Sequence, residues 1–129
     1  MTRSVVPKKL REMVVARAEY SCDRCARQLI GQVYSLQHRR ARGAGGRAGA
    51  HTPANLIVLC GTANTPGSCH NFAENTGEGR AEAYALGFAI RGEARAPEDV
   101  PIFRHLREWV IPGDGVWIPS SDPDEQAAA

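Results

Sequence analysis

Four cysteines stand in two pairs, Cys22 with Cys25 and Cys60 with Cys69. A turn with two residues between its thiols aims both sulfurs the same way, which suits one shared ion. The eight residues between Cys60 and Cys69 make a wider loop that can still fold back onto that ion. Four thiolates around Zn2+ form a closed tetrahedral site with no open position, so the ion would be a staple and not a reaction centre. Two disulfides, or four unrelated thiols, are the other readings. Disulfides belong to oxidising compartments, and Met1 to Lys9 carries no apolar stretch of a secretory signal. Zinc and a cytoplasmic location are therefore expected.

Three further polar residues are spaced around the cysteines. His38 and Asn55 have 16 residues between them, and Asn55 and His70 have 14. His38 ends a predicted strand, Asn55 precedes a second, and His70 follows the last cysteine and opens a helix. In a strand–loop–strand–helix hairpin these three converge on one cleft. Taken singly, His38 is an ordinary strand-end histidine and Asn55 a turn residue. His51 and His105 read as surface residues.

The elements that would position these groups are short. Residues 7–19 read as a helix, with Pro7 in its first turn and Leu10, Met13, Val14 and Arg17 at helical spacing. Residues 32–38 alternate as a strand does, and Leu56 to Leu59 is an apolar run ending in Cys60, read as an antiparallel partner. Ser68 is a fair N-cap for a helix over 69–76. Gly77 and Gly79 interrupt that helix, which resumes over 80–86 and stops at Gly87. Short strands are predicted over 88–91, 102–103, 109–111 and 116–118, with a hairpin turn at Gly113-Asp114-Gly115. The fold class is α+β.

The segments SLQHRRARGAGG at 35–46, PANLIVLC at 53–60 and GSCHNFAE at 67–74, framed by the two cysteine pairs, resemble the HNH endonucleases and their ββα-metal fold. The AEAYALGF segment at 81–88 is similar to the stretch beyond the core motifs in small phage HNH proteins. The resemblance implies hydrolysis of DNA phosphodiester bonds, one strand at a time, by a monomer. His38 maps onto the general base, a role that a neutral imidazole suits near neutral pH. Asn55 maps onto the residue whose side-chain carbonyl holds the base's ring, and His70 onto a metal ligand. Gln37 stands where the family carries Asp or His, and Glu74 where some members carry a second His. With His70 they favour a hard catalytic cation, Mg2+ or Mn2+, over Zn2+.

Arg39, Arg40, Arg42 and Arg47 come after the base position among flexible glycines and are expected to contact DNA phosphates. Lys8, Lys9, Arg11 and Arg17 either extend that footprint or dock their helix on the core. The context that the resemblance implies is phage DNA packaging or processing, with terminase or portal proteins as partners in the host cytoplasm. A non-catalytic, zinc-stapled DNA-binding module is the competing reading, because Gln37 departs from the family pattern.

Length and composition agree with one small domain. The chain has 129 residues, 43% of them hydrophobic, 23% charged and only 6% aromatic. A core this thin in aromatics gains from a metal staple. Residues 1–50 hold 11 Lys+Arg against 3 Asp+Glu, while residues 51–129 hold 5 against 11. A basic half in a nearly neutral chain suits a polyanion. No apolar run approaches the roughly 20 residues of a membrane span. The expected organisation is an N-terminal helix over 1–19, the HNH core over 20–88, a short-strand extension packed on it over 89–118 and a disordered tail over 119–129.

Overall fold

A computed structural model describes residues 5–41, 50–92 and 95–128. It is an α+β arrangement of two small antiparallel sheets with helices packed around the first.

Helix α1 spans Lys8–Arg17, with Pro7 just ahead of it. Strands β1 (Tyr34–His38) and β2 (Leu56–Cys60) pair antiparallel, with Leu36 opposite Val58 and His38 opposite Leu56. Every residue of β2 is buried. Helix α1 covers it from one side and α2 (Cys69–Asn75) contacts it as well. That double cover explains why β2 reads as an unbroken apolar run while β1 alternates.

The predicted interruption at Gly77 and Gly79 is a change of helix. Helix α3 runs Gly77–Leu86, and Thr76 caps it by accepting the Gly79 N–H at 2.9 Å. A Cβ at position 79 would lie 1.7 Å from the Phe72 carbonyl oxygen, so only glycine lets α3 start this close to the end of α2.

The second sheet has the order β3 (Ile102–Arg104), β4 (Glu108–Pro112), β5 (Trp117–Pro119), and the β4–β5 turn falls at Gly113–Gly115 as expected. Residues 88–91 make no strand; Ile90 forms a single parallel bridge with Arg40. The tail expected to be disordered carries a helix instead, α4 at Pro123–Ala128. Asp122 caps it by accepting the Asp124 N–H, and Asp124 and Glu125 favour its first turn.

Three buried arginines and one buried aspartate fasten these pieces together. Arg17, at the end of α1, donates to the carbonyls of Pro53, Leu56 and Gly113, and Trp117 returns a bond to the Arg17 carbonyl. Its helix therefore docks on the core. Asp23 accepts the Val58 N–H at 3.0 Å and Arg104 Nε at 3.3 Å, which ties β3 to the first cysteine turn and to β2. Arg39 is 1% exposed and donates to the carbonyls of Ala54, Gly87, Pro97 and Val100. Burial lowers its pKa to about 9, still far enough above neutral for the guanidinium to stay charged.

Candidate metal centre and adjoining cleft

The four cysteine sulfurs lie within 4.8 Å of one another, and Cys25 and Cys60 are 4.0 Å apart. Tetrahedral Zn–S bonds of roughly 2.3 Å would set sulfurs roughly 3.8 Å apart, so the donor set fits one ion. All four are thiols; three are buried and Cys25 is exposed. The turn at 22–25 supplies two of them, the end of β2 supplies Cys60, and the first residue of α2 supplies Cys69.

Local bonds aim the sulfurs inward: the Cys25 N–H faces Cys22 Sγ at 3.5 Å and the Cys69 N–H faces Cys60 Sγ at 3.4 Å. The hydrogen bond with Cys69, and then burial, push the Cys22 thiol well above its ordinary range, and burial pushes Cys60 up too. Thiols this crowded resist ionising by themselves, and a bound cation reverses that. The cluster thus has the donor set and spacing of a metal-binding site, consistent with a structural zinc.

Arg24 supports this cluster, a role its position in the sequence does not signal. Its Nη1 donates to Cys69 Sγ at 3.3 Å, its Nε pairs with Glu82 at 2.7 Å, and its guanidinium lies over the Phe72 ring. A cation against one sulfur offsets part of the negative charge of four thiolates around a divalent ion.

Next to the cysteines a cleft of about 240 Å³ opens between β1, α2 and α3. Gln37, His38, His70, Glu74, Arg80 and Tyr84 line it. His38 and His70, distant in sequence, thus share one cavity. Because α2 starts at Cys69, the residue that faces the sulfur cluster and the residue that faces the cleft are neighbours.

Within the cleft, His70 Nε2 and Glu74 Oε1 stand 3.8 Å apart, one helical turn from each other. That is too long for a hydrogen bond. Burial lowers the His70 pKa, and the Glu74 charge opposes the shift. The other ring nitrogen, Nδ1, is 2.5 Å from Ser35 Oγ, whose hydroxyl donates to the Gly61 carbonyl at 2.6 Å. Gln37 is 3% exposed; its amide nitrogen reaches the Phe88 carbonyl at 3.4 Å, and its Oε1 is buried with no hydrogen-bond partner. Arg80 reaches both the Tyr84 hydroxyl and the Glu74 carboxylate, at 2.5 and 3.9 Å.

His38 meets a partner that was expected at the surface. Its Nε2 lies 3.2 Å from Nδ1 of His51, the rings tilted with centroids 5.2 Å apart. His105, also expected at the surface, is half-buried with its ring 3.1 Å from Ser21 Oγ.

Two expectations need correcting. Asn55 does not hold the His38 ring. It is buried, with its Oδ1 on the Arg40 N–H and its Nδ2 on the carbonyls of Arg40 and Ala50. Its work is to hold the chain that leaves β1. Arg39 cannot reach a phosphate, because its guanidinium is enclosed by four carbonyls. Arg40 remains partly exposed, with Nη1 3.4 Å from the Arg95 carbonyl. Arg42 and Arg47 lie outside the described residues.

No protein-family model, curated protein or solved structure matches this chain. Among the described residues, no helix is long and apolar enough to cross a membrane.

Proposed function

We propose that this protein is a metal-dependent endonuclease of the HNH type that hydrolyses DNA phosphodiester bonds, nicking one strand at a time. The observation that carries the reading is the shared cleft: His38 from the end of β1 and His70 from α2 line one cavity beside a cysteine cluster built to hold a metal. The antiparallel hairpin leading into a helix is in keeping with a ββα arrangement.

The residues also fit a catalytic cation. Gln37 offers a buried oxygen that lacks a partner, and His70 and Glu74 present a nitrogen and an oxygen 3.8 Å apart. Two ligands each about 2.1 Å from one Mg2+ are separated by roughly 3 to 4 Å. Bound there, Mg2+ or Mn2+ would supply charge stabilisation at the phosphate and at the leaving oxygen. His38 takes the proton of the attacking water. His51, against its Nε2, restrains the ring. Arg80, at the rim, contacts the phosphate oxygens, as a guanidinium fork suits. Among the described residues that line the cleft, none belongs to a motif that reads base edges, so cutting should depend weakly on sequence.

Supercoiled plasmid tests this directly. Zinc-loaded protein with Mg2+ or Mn2+ should convert it to the nicked circle, and His38→Ala should slow the conversion by about 10²–10⁴-fold. Protein that binds DNA but never nicks it under either cation would instead be a zinc-stapled binding module.

A further inference from the structure

We infer that Ser35 is the positioning residue that fixes which nitrogen of His70 faces the cleft, and so makes Nε2 available to a divalent cation. The inference rests on the proposed cation site and adds a residue to it. Counting hydrogens leads to it. A serine hydroxyl has one hydrogen, and a carbonyl only accepts. Ser35 Oγ lies 2.6 Å from the Gly61 carbonyl oxygen, so the hydroxyl hydrogen points there. The same oxygen lies 2.5 Å from His70 Nδ1 and can only accept from it. Nδ1 therefore carries the ring hydrogen. In the neutral ring Nε2 then has the lone pair, and Nε2 is the atom on the Glu74 side.

The alternative arrangement, with the hydroxyl donating to Nδ1, would leave the lone pairs of Ser35 Oγ and the Gly61 carbonyl facing each other at 2.6 Å. It would also put the ring hydrogen on Nε2, where it blocks a ligand. Ser35 sits on β1 opposite Leu59, and Gly61 directly follows Cys60. Cys69 directly precedes His70. Both ends of the relay are thus anchored next to residues of the sulfur cluster, which keeps the ring from turning. Outer partners that orient a ligating histidine in this way commonly change metal affinity by about 10–100-fold when lost.

Two measurements test it on the zinc-loaded protein. Long-range proton–nitrogen spectra of the imidazoles, taken before any Mn2+ is added, should show His70 protonated on Nδ1. Ser35→Ala should lose that preference, and Ser35→Thr, which keeps the hydroxyl, should retain it. Mn2+ titrated by its paramagnetic signal should bind about 10–100-fold more weakly to Ser35→Ala and normally to Ser35→Thr. A wild-type His70 protonated on Nε2 overturns the inference even if Ser35→Ala fails to fold. So does a tautomer, or an Mn2+ affinity, that Ser35→Ala leaves unchanged. Mn2+ binding that needs Ser35, without any nicking of plasmid, would support the inference and remove the nuclease reading.

Discussion

Asn55 grips the peptide of Arg40 from both sides: its Oδ1 accepts the Arg40 N–H at 2.8 Å, and its Nδ2 donates to the Arg40 carbonyl at 3.2 Å. A third bond, from Nδ2 to the Ala50 carbonyl at 3.0 Å, closes the neck of the segment joining β1 to β2. An asparagine supplies this acceptor and both donors in one flat group. Asn55→Ala leaves these backbone groups unpaired, each at a cost of about 1–3 kcal/mol where buried. Asn55→Asp keeps the acceptor but loses both donors and puts a charge in a buried site. Both variants should lower the urea midpoint, and the fall should not depend on added Mg2+. An unchanged midpoint for Asn55→Ala would contradict the clamp.

The sulfur cluster predicts one zinc per chain and four titratable thiols after denaturation in chelator. A structural zinc contributes on the order of 10 kcal/mol of apparent binding free energy. Cys69→Ser should therefore lose the metal and unfold at much lower denaturant concentration. Arg24→Gln should keep zinc but release it faster to a chromophoric chelator, because the bond to Cys69 Sγ and the compensating charge are gone. Metal analysis that finds no zinc, or thiol counting that finds two disulfides, would remove the centre.

The cysteine cluster and the hairpin are legible in the sequence because their signals are local. A two-residue knuckle, an alternating strand and an apolar run each declare themselves within about ten residues. Arg39 is not legible. In a stretch of arginines and glycines it reads as one more solvated cation, and its burial depends on carbonyls of Ala54, Gly87, Pro97 and Val100, all brought from far along the chain. Ser35 carries no sequence signal, since a serine in a strand has many uses. His51 gains meaning only when the chain returns to place its ring beside His38. The helical tail escapes the sequence because an Ala-rich, polar composition suggests disorder. Pro123 and the acidic first turn are the signal that points to it.

His105 makes stability depend on pH. The Ser21 hydroxyl donates to the Ala18 carbonyl at 2.6 Å, so its oxygen accepts from His105 Nε2. Burial lowers the His105 pKa below its ordinary 6.5, and Arg104 pushes the same way. The unfolded chain therefore takes up the proton first as pH falls. The contribution to stability is complete above 6.5 and is lost below it, through the lowered pKa of the folded state. His105→Gln should flatten this part of the stability curve relative to the wild type, as read from denaturant midpoints between about pH 7.5 and about pH 6. Parallel curves for the two proteins would show that the ring does not titrate differently on folding.

Arg39 and Arg40 are neighbours that should behave in opposite ways. The Arg39 guanidinium is enclosed by backbone oxygens, so Arg39→Met should destabilise the fold strongly, each carbonyl left buried and unpaired costing about 1–3 kcal/mol. In protein kept folded by zinc and low temperature, the salt dependence of DNA binding should not change, because no phosphate contact has been lost. The Arg40 backbone is held by Asn55 while its side chain is partly exposed, and its chain neighbours Arg39 and Ala41 line the cleft, so Arg40→Ala should leave stability nearly intact. If the cleft receives DNA, each phosphate contact releases counterions, and the slope of log affinity against log salt should fall by about 0.9 for the one contact removed. Fluorescence anisotropy with a labelled duplex over a salt series reads both slopes. A reduced slope for Arg39→Met alone would mean that the four carbonyls do not hold its guanidinium, and an unchanged slope for Arg40→Ala would place the DNA on another face.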